Sequence, residues 1–490
     1  MRRLHRHSHR AVLLTALMLA LPSLAAARAF AGGMGERIAA GPLTGPQMPA
    51  TASLDGPPVR VLLAEAPRFD LMAGDFGLRL LDGKGQILRD LRPGESLQLR
   101  VAAGGIAVAG GAGSPTSGPS ALATELWLEP LGSVSQAFSF SLGADRYRGR
   151  LQIRLLESGQ LQAVNHLPLE TYLTSVVGSE MPASWPQAAL QAQAVAARTY
   201  ALSALKPAAV YDLKSTVASQ AYRGVASETD STRQAVSATR GQVLMQDGRL
   251  IQAVFHSSSG GATEDSGQVW SRQLPYLVSV PDFDTGSPVS RWQMRLEPQQ
   301  LRQQFRETDG VVRIDVLDTS QSGRVKRARV IGPGGSLELS GAELRQRLGL
   351  RSTLVTFQLQ PTGGSLTPAA PAGVIDRAVS QALVARQSAV NPPIGAGSVV
   401  VDSATGQVMT PAPLVAGHAP LTPPPSLDPG SQPAAVSLPA YALVIDGRGF
   451  GHGVGMSQWG AFAMARQGRS YDQILHHYYR GVALVSYPGP

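Results

Sequence analysis

NHLPLETYLTSVVGSEMPASWPQAALQAQAVAARTYALSAL, residues 165–205, sets one acidic residue, Glu180, in the joint between two apolar helical segments. In the first segment Leu169, Tyr172, Leu173, Val176 and Val177 follow the i, i+3, i+4, i+7, i+8 spacing of one buried helical face. Pro168 suits its first turn. Glu180 follows Val176 by four residues and Val177 by three, so a helix that persists past Gly178 turns the carboxyl toward the apolar side. Loss of water there raises its pKa. A second helix is announced by Ser184 at the N-cap, with Gln187 completing a capping box and Pro186 tolerated in the first turn. Leu190, Ala194, Ala197 and Ala201 give it a small-residue face for close packing. Gln191, Gln193 and Arg198 are polar groups on a largely buried helix and need partners, which a substrate or Glu180 can supply. A plainer reading has Glu180 capping the second helix or pairing with Arg198.

Along residues 164–202 the residue types resemble the signature of the SpoIID/LytB family of cell-wall proteins. The resemblance implies a peptidoglycan lytic transglycosylase, which cuts the bond between N-acetylmuramic acid and N-acetylglucosamine without water. One carboxyl suffices: it donates a proton to the leaving oxygen, then takes the proton of the C6 hydroxyl as a 1,6-anhydro ring closes. An ordinary glycosidase needs a second carboxylate at a fixed separation. None accompanies Glu180 in the signature, although Asp282, Asp284 or Asp446 can fold alongside. This chemistry requires Glu180 protonated near neutral pH, so Arg198 is expected to reach substrate or a backbone carbonyl instead. Part of the family is named for stimulating an amidase, so the alternative is a glycan-binding protein that enhances a cell-wall amidase and cleaves nothing.

The 490 residues allow two or three domains. Residues 1–31 read as a secretory signal, with Arg2, Arg3, Arg6 and Arg10 before the apolar run 11–21 and small-residue sites at Ala25 to Ala31. The protein is therefore expected in the periplasm or cell wall, at a membrane only if that segment stays uncleaved. The net charge of +9 includes five arginines in this segment, leaving +4. Dispersed arginine on an exported chain suits anionic wall polymers or membrane surfaces and not nucleic acid. Cysteine is absent, which excludes thiolate metal sites.

The expected fold class is α+β, a mixed β-rich core with an Ala-rich helical pair. Residues 32–57 read as a disordered leader and 58–122 as a β-rich N-terminal module, with a Gly/Ser-rich loop at 103–120. A YRG segment and a closing VN precede the Glu-bearing helix, as in the family, which starts the core near 123 and carries it to 360. The stretch 290–360 reads as a small α/β subdomain. Residues 361–440 hold 14 of the chain's 36 prolines and read as a flexible insertion, with an isolated helix at Val374 to Arg386. Family-like sequence resumes at 441–490.

Ser219, Gln220 and Tyr222 match an SQ-x-Y-x-G element and present amide, hydroxyl and ring to a sugar. His256 opens the run HSSSGG; some relatives carry Cys near this His and resemble zinc proteins, whereas one His plus serines is a poor zinc site. Neither metal nor cofactor is expected, and His256 lines the cleft or is a satisfied structural histidine. In GHGVGMSQWGA, no register of the glycines fits a dinucleotide loop and no Lys follows as in a P-loop. Ser457 falls one glycine short of a nucleophile elbow. The run instead resembles the family's C-terminal signature, which implies that His452, Ser457, Gln458 and the turn's N–H groups meet a glycan beside Glu180. A tight turn that closes the domain is the structural alternative.

Overall fold

Val59 and Val61, alternating with more exposed neighbours, are the first buried side chains of a strand that runs Pro58–Ala66 (β1). The computed structural model describes residues 56–102, 104–110, 123–132, 138–362 and 441–487. The expected signal at 1–31, almost all of the leader and of the Pro-rich insertion, and the helix at 374–386 lie outside the described residues. Residues 38–358 and 443–490 belong to one unit; of the second, 359–442, only four residues at one end and two at the other are described.

Among the described residues strands and helices both contribute, in several sheets and no barrel, so the fold is α+β. After β1 come β2 (Arg68–Ala73), β3 (Leu78–Asp82), β4 (Ile87–Leu91), β5 (Ser96–Ala102) and β6 (Gly105–Ala109). Then follow β7 (Glu125–Pro130), β8 (Phe140–Leu142), β9 (Asp145–Tyr147), β10 (Arg150–Leu155), β11 (Leu161–Pro168) and, beyond two helices, β12 (Leu213–Lys214). The first sheet runs β12-β1-β11-β10-β7-β3-β4 and the second β6-β5-β2-β8-β9. Phe69, Leu71, Leu97, Leu99 and Phe140 of the second pack with Leu80, Leu128, Leu151 and Ile153 of the first in one hydrophobic cluster.

This topology corrects the expected break at 122/123. β1 pairs antiparallel with β11, from Pro58↔Pro168 to Ala66↔Leu161, so the first described strand lies beside the one that feeds the Glu-bearing helix. Alternation marked the strands but carried no information on their partners. The supposed loop at 103–120 also holds β6, paired to β5 from Gln98↔Ala109 to Ala102↔Gly105.

The helices follow: α1 (Leu169–Glu180), α2 (Gln187–Ser203), α3 (Asp230–Ala238), α4 (Ser266–Val269), α5 (Pro298–Gln304), α6 (Gly341–Leu348), α7 (Gln458–Arg466) and α8 (Tyr471–Tyr478). α1 persists past Gly178, whose absent side chain lets the helix touch the turn at Ser227; a Cβ there would lie 1.9 Å from the Ser227 carbonyl oxygen. Ser184 does not cap α2. Pro186 occupies the cap without a side-chain bond, and Gln187 instead donates to the Ser231 hydroxyl and carbonyl at 2.9 and 3.1 Å, tying α2 to α3.

α2 is buried nearly all round, packed by α1, α3, α7 and α8. Alanine on several sides allows those close approaches. In the 290–360 stretch, α5 and α6 accompany a three-stranded sheet of 313–319, 325–332 and 335–340. The C-terminal piece re-enters as strand Tyr441–Arg448, between Arg291–Leu296 and Val355–Pro361.

Arg198, on the buried helix, forks onto Glu170: Nε to Oε1 and Nη2 to Oε2, both 2.7 Å. It also donates to the carbonyls of Gln242 and Val236 at 3.2 and 3.3 Å. Removing one partner leaves an uncompensated buried charge, at a cost of roughly 3–5 kcal/mol. Arg198→Ala is therefore expected to lower the urea midpoint strongly. A variant of unaltered stability that loses glycan binding would return Arg198 to the substrate.

Candidate functional site

Glu180 is the last residue of α1, where the helix turns its carboxyl onto the segment 219–223 and the start of α7. The Ala221 N–H donates to Oε1 at 2.7 Å and the Gln458 amide to Oε2 at 3.3 Å. Burial pushes the Glu180 pKa above the ordinary carboxylate range; the two hydrogen bonds and the Arg223 charge oppose that rise. A carboxyl under these opposed influences, tightly held at one oxygen and loosely at the other, is suited to proton exchange through Oε2.

The strap 219–223 is held by its own side chains. Gln220 is buried, accepts from the Tyr172 hydroxyl at 3.1 Å and donates to the Ala197 carbonyl at 3.3 Å. Tyr222, also buried, donates to Asn165 Oδ1 at 2.8 Å, while the Asn165 amide donates to the carbonyls of Arg148 and Arg150. Gln220 and Tyr222 were expected to meet a sugar; their polar atoms instead anchor the strap and aim the intervening N–H at Glu180. Ser219 is half-buried, accepts from the Lys214 N–H at 3.1 Å and bonds to Tyr200.

On the opposite side, Gln458 also donates to Gln193 Oε1 at 3.5 Å, and the fully buried Gln193 has no partner for its Nε2 among the described residues. Gln193 therefore stands behind Gln458, out of solvent. Arg198, tied to Glu170, touches neither. Glu170 and Glu180 sit at opposite ends of α1, about 15 Å apart at 1.5 Å per residue.

The glycine-rich turn is likewise spent internally. Gly449, Gly451 and Met456 donate their N–H groups to the carbonyls of Ser290, Arg351 and Val254. At Gly453, φ is +84° and a Cβ would meet the Arg324 guanidinium at 2.4 Å, so glycine is required. His452 Nδ1 accepts from the Val454 N–H at 3.0 Å, and the ring also bonds the Phe255 backbone. His256 is buried; its Nδ1 faces the Val454 carbonyl at 3.1 Å and so carries the proton, leaving Nε2 to accept from Ser259 at 2.9 Å. Ser457 is buried and caps α7 through the Gly460 N–H at 3.1 Å. These three residues, and the N–H groups of Gly449, Gly451 and Met456, thus have partners within the protein. Glycine density and polar type were legible in sequence; their internal partners, nearly two hundred residues away for His256, were not.

Two features escaped the sequence reading. The Ala221 N–H carries no side-chain signal. Trp185, Trp459 and Phe462 form an aromatic cluster with ring centroids 4.8–5.4 Å apart, next in sequence to the Glu180 joint and to Gln458. Spacing of Trp459 and Phe462 at i, i+3 was the available hint. The possible second carboxylates are engaged elsewhere: Asp282 with Tyr478 at 2.6 Å, Asp284 with the Gly260 N–H at 2.7 Å, Asp446 with Gln293 at 2.8 Å.

Burial holds the pKa of His256, and of His166 in the first sheet, down to about 3, and lowers that of His452 well below its ordinary value. An unfolded histidine titrates near 6.5, so the unfolded chain binds more protons between about pH 3 and 6.5. Stability is full above that window and is lost as pH falls through it, by roughly 1.4 kcal/mol per pH unit for each histidine. Urea midpoints at pH 7.5 and 5.5 should differ accordingly, and His256→Gln should shrink the difference. A midpoint indifferent to pH would refute the burial of these rings.

Comparison with known proteins bears on the same stretch. Residues 157–246, from the turn before β11 through α1, α2 and the strap, match the family model described as stage II sporulation protein, SpoIID. The chain is 30% identical over 334 residues to a protein of Bacillus subtilis (strain 168) named amidase enhancer, covering 64% of this chain and 40% of that relative. It is 28% identical over 344 residues to stage II sporulation protein D of Bacillus amyloliquefaciens, covering 66% of this chain and 75% of the relative. The protein of the latter name from Bacillus subtilis (strain 168) is 27% identical over 342 residues, with 66% and 76% covered. The chain thus spans well under half of the first relative's length. Over residues 157–246, the segment that carries Glu180, the chain is thus similar to the SpoIID family.

Proposed function

We propose that this is an exported cell-wall protein, a peptidoglycan lytic transglycosylase in which Glu180 is the sole acid and base. The observation that carries the reading is the Glu180 carboxyl, its pKa raised by burial and its Oε1 fixed by the Ala221 N–H at 2.7 Å. With Oε1 held tightly as an acceptor at 2.7 Å and Oε2 only at 3.3 Å, Oε2 is the oxygen that bears and donates the proton. Cleavage begins as that proton passes to the oxygen leaving the muramic acid C1. The resulting carboxylate then draws the proton from the same sugar's C6 hydroxyl, whose oxygen closes on C1. No water is consumed, Glu180 ends protonated as it began, and no second carboxylate is required.

Gln458 and the Ala221 N–H steady the carboxylate formed between the two proton transfers, which keeps the acid from being too weak a donor. Gln193 fixes the Gln458 amide so that its NH2 faces Glu180. The reading in which the chain stimulates an amidase without cutting glycan draws on the name of the first relative.

Glu180→Gln should abolish release of products one water lighter than hydrolysed muropeptides, judged by mass spectrometry, while leaving the fold intact. Retained anhydro products would sink the assignment, and full-mass reducing ends would make it a hydrolase. Activity should fall as pH rises through the elevated Glu180 pKa. Gln458→Leu removes a donor that favours the carboxylate, so that fall should move to higher pH.

A further inference from the structure

Arg223 ends the strap that holds Glu180. Tyr222, immediately before it, is locked to Asn165 at 2.8 Å, and Ala221, two residues before, gives its N–H to Glu180. Arg223 is half-buried, yet its guanidinium makes no hydrogen bond or ion pair among the described residues. The other shielded arginines in this part of the fold are matched: Arg148 with Glu228 at 2.9 Å, Arg198 with Glu170, Arg60 with Asp212 at 2.7 Å. Glu228, close in sequence to Arg223, is already taken by Arg148 and approached by Arg233 at 3.5 Å.

A guanidinium carries five donors in a rigid fork, and the nitrogens of Arg223 are not among the buried polar atoms left without a partner, so the fork is open to a ligand from solvent. A ligand that fills such a fork is anionic and planar, and the group that fits two parallel N–H bonds is a carboxylate. We propose that Arg223 is the specificity-determining residue of this site, binding a carboxylate carried by the glycan strand next to the bond that Glu180 faces. The proposal rests on the glycan reading above and names the part of the glycan that is read. Two sources have the required chemistry: the lactyl carboxylate of N-acetylmuramic acid freed of its peptide, and a carboxylate of the stem peptide. Occupation of Arg223 has a second effect. Its charge favours ionised Glu180 in the free protein, and a bound carboxylate offsets that charge, so the acid holds its proton when substrate is present.

The test is binding by the full chain in the Glu180→Gln background, where nothing is consumed, to four glycans. They are peptide-stripped strands, the same strands with carboxyls reduced to alcohols, peptide-bearing strands, and a chitin oligosaccharide with no carboxylate. Carboxyl reduction should weaken binding roughly tenfold or more, the size of a charge-assisted hydrogen-bonded pair, and needs no further variant to be read. Arg223→Ala should erase that difference, and Arg223→Lys should restore part of it. The strand whose binding Arg223→Ala weakens identifies the carboxylate. Equal binding of reduced and unreduced strands, or an equal loss on both in Arg223→Ala, overturns the proposal. Absence of cleavage by the unaltered chain, with the carboxylate preference intact, would remove the transglycosylase reading and leave this one standing.

Discussion

The fork of Arg198 onto Glu170 sets how α1 and α2 lie against each other. It joins the beginning of α1 to the end of α2, so the two run antiparallel. The same register leaves the end of α1, and Glu180 with it, beside the first half of α2 and Gln193. A buried ion pair is poor evidence of net stability, but a pair that can form in one register only is good at excluding the others. Here the carbonyls of Val236 and Gln242 complete the guanidinium's bonding, which draws α3 and the following strand into the same arrangement.

From that register follows the contest at Glu180. Desolvation favours the neutral acid; an amide N–H, a glutamine amide and a nearby guanidinium favour the carboxylate. Desolvation wins and the donors limit its excess, which suits a proton that must leave and return. The donors arrive from parts of the chain far apart in sequence, one from residue 221 and one from 458, and each is rigidly backed: the first by Gln220 and Tyr222, the second by Gln193 and the Ser457 cap of α7.

Much of this was legible. The apolar spacing of 169–177 gave α1, its continuation put Glu180 on the inner side, and Ser457 did cap its helix. What failed did so for a common reason: local pattern reports period and residue type, not partner. Arg198 was correctly seen to need a partner and does reach two backbone carbonyls, as expected, but the carboxyl at the start of α1, which takes its fork, was passed over. Ser184 and Gln187 had the spacing of a capping box, yet Pro186 took the cap and Gln187 was drawn off to α3. β1 read as part of a separate module because alternation says nothing about register, and its partner lies about a hundred residues on.

The histidines and serines of the two glycine-rich runs show the same limit at the site itself. Polar residues at a ligand-like density were read as groups for a sugar, and nearly all have protein partners. That outcome has a physical logic. A loop of glycines is costly to order, and a donor carried on it wanders unless neighbouring groups pin the backbone. His256 and His452 pin the turn through Val454, from its carbonyl and its N–H respectively, and Ser457 pins the start of the next helix. Gln458, the following residue, inherits that rigidity and brings its amide to the acid. The conspicuous residues thus prepare the site, and inconspicuous ones, an alanine N–H and a glutamine, hydrogen-bond Glu180, while the charge of Arg223 acts on it.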